Sequence, residues 1–426
     1  MAKQQIKALI LAAGMSTRFK SARSKVLEPV CGKAILACVL DACRTAGIQD
    51  LLVVVGAMRE QVHEAFAGAK DIQWVVQEPQ QGTAHAVMVA RKALRGFEGD
   101  LVVLVGDAPL VRAETIRALL EAHRKEKADL ALVTAVLDDP KWFGRIVRDG
   151  RGNLEAIVEA KDATKEQLAI REVNPSFYAF RWSALEGVLD RISNQNAKGE
   201  YYLTDAIGLL IGDGAKVVAI PAAEADEVQA VNSRADLATV SALARRRILE
   251  RLMAEGVTIE DPATTYIDYD VTVGPETVVG GCTVLRGPSR IGRGCRVGPF
   301  AHLRPGTVLE DGAEAGAFVE TKNSRLGPDA CARHHAYLGD CEVGARTNIG
   351  AGTLTANSDG RKKYKTTIGQ DASIGAGTIL VAPTSVGDEG QTGAGSVVTR
   401  AHPVPPGETY AGVPAKRHEA KRREKR

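Results

Sequence analysis

The sequence predicts an α/β chain of two unlike parts, a Rossmann-like layered domain followed by a parallel β-helix. Through residue 235, short apolar runs such as ALILAA, LLVVVGA and LVVLVGD alternate with longer amphipathic stretches. Beyond Asp261 helical periodicity vanishes, glycine becomes frequent, and aliphatic residues recur every six positions. Between the two textures lies SRADLATVSALARRRILERLMAEG, whose apolar residues fall at helical spacing and read as one connecting helix from Arg234 to about Met253. At 426 residues the chain has room for two or three domains.

In the first part, strands are expected at Ala8 to Ala12, Leu51 to Val55, Trp74 to Val76 and Leu101 to Val105, with a helix around Ile35 to Ala46. These strands lack polar alternation, as in a parallel sheet covered by helices on both faces. Ligands then belong at the carboxyl ends of the strands. In the second part, Ile291, Val297, Leu303 and Leu309 keep the six-residue step, as do Ile368, Ile374, Leu380 and Val386. Six residues per side and three sides per coil make a triangular prism with an aliphatic interior. The repeat breaks at Phe318 to Asn323 and at Asn357 to Lys365, where polar and basic residues are expected to loop outward. The resulting division is 1–235, a linker helix 236–258, the β-helix 259–413 and a basic tail 414–426.

Composition narrows the class of function. The 55 basic and 52 acidic residues nearly cancel to +3, which argues against a disordered polyelectrolyte or a nucleic-acid binder. The stretch from Lys416 to Arg426 alone carries seven basic and two acidic residues, either a solvated terminus or a contact for an anionic partner. Seven cysteines at 31, 38, 43, 282, 295, 331 and 341, without a CxxC pair, read as free thiols of a reducing cytoplasm. No apolar stretch approaches the roughly 18 residues of a membrane span. The apolar run of MAKQQIKALILAAGM is better explained as a buried first strand than as a signal peptide.

LAAGMSTRF follows the first strand without a GxGxxG or a Walker lysine. Its composition still suits phosphate: the amides of Ala13 and Gly14 can turn around a ligand, Arg18 brings a permanent charge, and Lys25 follows. LVGDAPL places Asp107 at the end of the fourth strand, a position for a Mg²⁺ ligand, with Asn232 of AVNSR as its partner. A turn residue capping the next helix is the other reading of Asp107. Extended to LAAGxxTRF with the downstream KVL, the first motif resembles the sugar-nucleotide pyrophosphorylase signature, with Phe19 where Met is commoner.

Further clusters, QEPQQGTAHA, FGRIV, IVEAKDA, EVNP and GEYYLTD, follow in an order that resembles the bifunctional N-acetylglucosamine-1-phosphate uridylyltransferase / glucosamine-1-phosphate N-acetyltransferase family, from about residue 6 to 413. The resemblance implies a nucleotidyltransferase domain followed by a left-handed parallel β-helix of hexapeptide repeats. It implies a cytoplasmic enzyme supplying UDP-N-acetylglucosamine for peptidoglycan and lipopolysaccharide. By this likeness Leu11, Ala12, Ala13, Gly14, Gln77, Gly82 and Thr83 hold the uridine nucleotide, and Arg18 and Lys25 face its phosphates. Gly144, Glu159, Asn174 and Tyr202 hold the N-acetylglucosamine moiety, while Asp107 and Asn232 bind Mg²⁺. Asn174 is followed by Pro175-Ser176 where the family usually has Thr-Gly.

In the repeat domain, Arg304, Lys322, His334, Tyr337, Asn348, Asn357 and Lys363 lie in or beside the breaks. The resemblance assigns the sugar phosphate to Arg304, Lys322 and Lys363, and the general base to His334, whose imidazole suits removal of an amine proton near neutrality. Tyr337, Asn348 and Asn357 would hold sugar or orient the acyl group, and Ala351, Ala376 and Ala394 would line acetyl-CoA. Alternation puts His334 and His335 on opposite faces, and the register of Tyr337-Leu338-Gly339-Asp340 selects His334. The implied partners are small molecules, namely glucosamine-1-phosphate, N-acetylglucosamine-1-phosphate, UTP and acetyl-CoA, with a homotrimer, no nucleic acid and no membrane. The alternatives are a monofunctional nucleotidyltransferase whose β-helix only trimerises, and a β-helix that binds a regulator without turnover.

Overall fold

The computed structural model describes residues 5–14 and 17–418, so most of the basic tail, 419–426, lies outside the described residues. The chain divides into two compact units, Met1–Ser241 and Ala242–Arg426.

The first unit is built on a ten-stranded sheet. Its strands are β1 (Ile6–Leu11), β2 (Asp50–Val55), β3 (Ile72–Val76), β4 (Asp100–Val105), β5 (Leu130–Val136), β6 (Gly144–Arg148), β7 (Leu154–Val158), β8 (Glu172–Asn174), β9 (Tyr178–Arg181) and β10 (Val217–Pro221). The order β3-β2-β1-β4 is parallel, with Ile10 opposite Val53 on one side and Leu104 on the other. Ala8, Leu9 and Ile10 are wholly buried, as non-alternating strands between two helix layers require. One layer includes α1 (Ile35–Thr45), with Leu36, Val39 and Leu40 in its core; the other includes α2 (Thr83–Ala90), with Ala84 and Val87.

The sheet is mixed rather than wholly parallel. β9 runs antiparallel to β4 and β5, and β8 antiparallel to β5 and β6. The pairing slips from Val173 opposite Ala135 to Tyr178 opposite Leu132, so β8 and β9 act as one strand bulged at 175–177. Ser176 adopts φ +63 there, a left-handed conformation that an L side chain rarely takes.

The second unit stacks short strands into three sheets of ten, eight and seven, the prism expected from the repeat, parallel except for the last pair, Thr409–Ala411 with Lys416–Arg417, which is antiparallel. Leu285 lies over Leu303, and Leu303 over Thr321, in one buried interior column. The helix leading into it spans Arg234–Ala254.

The first break does not loop outward. Glu320–Lys322 is a regular strand whose Thr321 is wholly buried, its hydroxyl 2.8 Å from that of Thr307. What changes is the coil length: Leu303 faces Thr321, but Leu309 faces Leu326, one residue sooner. Threonine satisfies its polar atom inside the column, so the hydrophobic count misreads a shortened coil as an excursion. The second break is a true excursion. Cys341 pairs with Thr366, while Ser358 and Lys363 form an antiparallel bridge and Tyr364 N–H closes the base of the loop on Asn357 O at 2.8 Å.

His334 and His335 do not fall on opposite faces. His334 ends the strand Cys331–His334, and His335 follows at the corner with φ +43; both side chains are exposed. The left-handed corner residue breaks strand alternation. His335 stacks on Phe318 at 4.9 Å, which stacks on Phe300 at 5.1 Å.

Candidate functional site

At the carboxyl ends of β1 and β4, a pocket of about 260 Å³ opens in the first unit. Leu11, Ala12, Ala13, Gly14, Lys25, Gln77, Gly82, Thr83 and Asp107 all line it, so the sequence-predicted nucleotide residues come together. Close backbone approach shapes the floor: a Cβ on Gly106 would lie 3.0 Å from the Cβ of Ala12. Gly82 has φ +106, and a Cβ there would meet Tyr201 O at 2.5 Å, which makes glycine the residue that lets this turn form. Gln77 Nε2 donates to Gly82 O at 2.9 Å, and Leu203 N–H donates to Thr83 Oγ1 at 2.9 Å, fixing the rim. Gln80, which the sequence did not single out, also lines the pocket and donates to Ala13 O at 3.1 Å. Only its place within QEPQQG pointed to it.

The charged end of this pocket is tightly knit. Lys25 Nζ donates to Asp107 Oδ2 at 2.5 Å and to Asn232 Oδ1 at 3.3 Å. Arg18 Nη2 donates to the same Asn232 oxygen at 2.8 Å, and Val231 N–H anchors the backbone on Asp107 O at 2.8 Å. One carboxylate and one amide oxygen therefore converge on a single point, a donor set of the hard kind that suits Mg²⁺ shared with phosphates. Among the described residues no group of three or more His, Cys, Asp or Glu gathers as a metal site. Asp107 and Asn232 supply the oxygens that meet at the Lys25 ammonium here.

Gly144, Glu159, Asn174 and Tyr202 do not line the pocket; they form a separate group. Gly144 pairs with Asn174 across β6 and β8. Glu159 accepts from Thr204 Oγ1 at 3.2 Å, and burial pushes its carboxyl above the usual range. The Tyr202 hydroxyl is buried without a hydrogen-bond partner, and burial pushes its phenol up to about 12. An unmet buried hydroxyl fits a ligand that brings its own polar groups. Asn174 is already committed, donating to Tyr178 Oη at 2.6 Å and accepting from Ser176 N–H at 3.2 Å.

The second unit carries another cluster. Arg304 pairs with Glu320 at 2.9 Å, while the ammonium of Lys322 has Lys363 and then Arg304 as neighbours, which lower its pKa. A Cβ on Gly339 would lie 2.6 Å from Tyr337 Oη and 2.7 Å from Asn357 Nδ2, so these two side chains meet over that glycine. Asn357 Nδ2 donates to Asp340 Oδ2 at 2.6 Å, and Asn323 Nδ2 donates to Asp340 Oδ1 at 2.7 Å, a polar ladder on three coils. Asp340 escaped the sequence reading because only the coil register reveals its neighbours. Lys363 lines a cavity of about 350 Å³ under the excursion with Asp340 and Tyr364.

The remaining predicted residues lie elsewhere on the prism. Asn348 sits in another sheet, accepting from Cys331 Sγ at 3.3 Å. Ala351, Ala376 and Ala394 stack at one exposed corner, joined by Gly377 N–H to Ala351 O at 2.7 Å and Gly395 N–H to Ala376 O at 2.8 Å. The seven cysteines are free, as expected.

A family model for the MobA-like NTP transferase domain matches residues 8–175. The chain is 40% identical to "Bifunctional protein GlmU" of Pelobacter propionicus over 93% of this chain and 94% of that protein. It is 44% identical to "Bifunctional protein GlmU" of Stutzerimonas stutzeri over 92% and 93%, respectively. The chain belongs to the GlmU family. A GlmU protein of Geobacillus thermodenitrificans is similar at 42% identity and 92% coverage of each chain. The GlmU resemblance read from LAAGMSTRF and the clusters after it is thereby borne out, and both units fall within the matched span.

Proposed function

We propose that each unit performs one step of UDP-N-acetylglucosamine synthesis, using the residues assembled above. Membership of the GlmU family makes the chain a transferase with uridylyltransferase and acetyltransferase activities. The observation that carries the two-site reading is that Lys25, Asp107 and Asn232 converge in the first unit while Lys322, Lys363 and Arg304 crowd together in the second. An inert β-helix scaffold has no need of Lys322 and Lys363 crowded together with Arg304 close by.

In the second unit, the cations hold the phosphate of glucosamine-1-phosphate by charge-assisted hydrogen bonds. His334 takes a proton from the amine as its nitrogen attacks the thioester carbonyl of acetyl-CoA; the carbon–sulfur bond breaks and CoA leaves as the thiol. Ala351, Ala376 and Ala394 are the corner along which acetyl-CoA lies. Asn348 lies in a different sheet from Lys322 and Tyr337, and a second copy of the chain in a homotrimer would bring such separated groups together.

In the first unit, a phosphate oxygen of N-acetylglucosamine-1-phosphate attacks the α-phosphorus of UTP, and the bond to pyrophosphate breaks. Asp107 and Asn232 would hold Mg²⁺, which supplies charge neutralisation to the phosphates. Lys25 and Arg18 neutralise the same phosphates from the protein side. The amides of Ala13 and Gly14, with Gln77, Gly82 and Thr83, seat the uridine nucleotide. Gly144, Glu159, Asn174 and Tyr202 seat the sugar, with Tyr202 Oη finding its missing partner there. Free thiols and the lack, among the described residues, of a helix able to cross a membrane support a cytoplasmic site of action.

The test uses purified protein with Mg²⁺, acetyl-CoA, UTP and glucosamine-1-phosphate, following CoA and pyrophosphate separately. Release of both is expected. Pyrophosphate only when N-acetylglucosamine-1-phosphate is supplied, with no CoA release, would leave a uridylyltransferase on a scaffold.

A further inference from the structure

Trp142 has no role in the site described so far, yet it is an indole left 37% exposed on the loop just before Gly144. The preceding Lys141 adopts φ +43, and the ring stacks on Phe143 with centroids 6.4 Å apart. The turn thus commits its backbone to presenting this ring. Arg18 Cζ lies 5.6 Å from the centroid of Trp142, within the range of a cation–π contact. Lys141 Nζ lies 5.4 Å from the same centroid.

Arg18 is therefore held by two contacts, the Asn232 amide oxygen at 2.8 Å and the Trp142 ring. The proposed mechanism removes the first, because Asn232 Oδ1 is needed for the metal. Lys25 would be displaced from Asp107 in the same exchange, but it has no aromatic partner to fall back on among the described residues. We propose that Trp142 is a positioning residue for uridylyl transfer, holding Arg18 at the phosphate end of the pocket once Asn232 turns to the metal. The inference rests on the nucleotide-site reading above. A ring is suited to this task where a carboxylate is not. It attracts the guanidinium through its face and leaves the N–H edges and the full charge available to phosphate oxygens.

The experiment uses the full-length protein with Mg²⁺, UTP and N-acetylglucosamine-1-phosphate, comparing wild type, Trp142→Ala and Trp142→Phe. Trp142→Ala is expected to lower kcat/KM for UTP by about tenfold, and Trp142→Phe by no more than about threefold, in line with the strength of a partly exposed cation–π pair. CoA release from acetyl-CoA and glucosamine-1-phosphate stays equal in all three, which reports that the variants are folded. A second readout is the intrinsic emission of Trp142, one of three tryptophans. Its change on adding UTP with Mg²⁺ is expected in the wild type, diminished in Arg18→Ala and absent in Trp142→Phe. Wild-type kcat/KM in Trp142→Ala, or equal damage in Trp142→Phe and Trp142→Ala, overturns the inference while leaving the nucleotide site standing. A wild type that releases no pyrophosphate overturns both.

Discussion

The cations of the two units keep opposite company. Lys25 and Arg18 rest on the oxygens of Asp107 and Asn232, whereas Lys322 rests beside Lys363. In the nucleotide pocket every basic group already has a partner, so binding of metal and phosphate is an exchange of partners. On the β-helix, Arg304 is paired with Glu320, but Lys322 and Lys363 face one another and an arriving phosphate relieves their repulsion. Lys322 is fixed by the coils stacked against its strand, and the excursion, closed at its base by Tyr364 N–H on Asn357 O, holds Lys363 against it; in the pocket at the strand ends the charges are paired instead.

The most decisive way to separate the two sites is His334→Ala. CoA release should fall by about two to four orders of magnitude, the usual worth of a general base, with pyrophosphate release from UTP and N-acetylglucosamine-1-phosphate unchanged. If His335→Ala has that effect instead, the choice of base is wrong. Next in size, Asp107→Asn should lower uridylyl transfer by about a hundredfold or more, since a metal clamp contributes several kcal/mol to such transition states, while CoA release is untouched. Equal loss in both assays would mean that the substitution damages the whole chain.

A smaller effect probes the crowded charges. Lys322→Ala should raise KM for glucosamine-1-phosphate by about tenfold, the worth of one charge-assisted hydrogen bond. The neighbouring Lys363 and Arg304 lower the pKa of Lys322, so its charge is present at low pH and lost as pH rises, sooner than for an isolated lysine. Sugar-phosphate affinity should therefore begin to fall below the ordinary lysine range. Lys363→Ala should move that fall upward, and a KM profile that does not move would contradict the crowding. Smallest is Thr321→Val, which removes one buried hydroxyl contact inside the column. Thr307 keeps its bond to Arg304 O, so thermal unfolding should report a loss of only about 1 kcal/mol.

Much of this molecule was legible as sequence, for reasons that differ between its halves. The aliphatic step from Ile291 to Leu309 revealed the prism because each interior position is chemically alike. The non-alternating strands Ala8 to Ala12 and Leu101 to Val105 located the pocket, because ligands collect at their carboxyl ends. Long-range register was not legible. Nothing in Glu172 to Arg181 announced that its two strands are one bulged strand reversing the sheet, and Thr321 looked like an interruption because its polar atom is satisfied by a residue fourteen positions away. The same limit hid Trp142 and Asp340, whose partners Arg18 and Asn323 are supplied by the fold rather than by neighbours in the chain. His335 misled for a local reason: alternation stops where a corner residue turns left-handed.

The shortened coils also determine where the chain tolerates a change in length. From Leu309 opposite Leu326 to Tyr337 opposite Leu354, each circuit closes one residue early, and Asn323, Asp340 and Asn357 sit one above another because of it. Inserting or deleting a single residue within those circuits would carry every later side chain out of its column. The segment 358–365 hangs outside the perimeter, closed at its base by Tyr364 on Asn357, and can gain or lose residues without disturbing the register. A length change in that segment should therefore spare the fold while displacing Lys363, whereas one in the circuits that carry Lys322, His334 and Tyr337 should damage both.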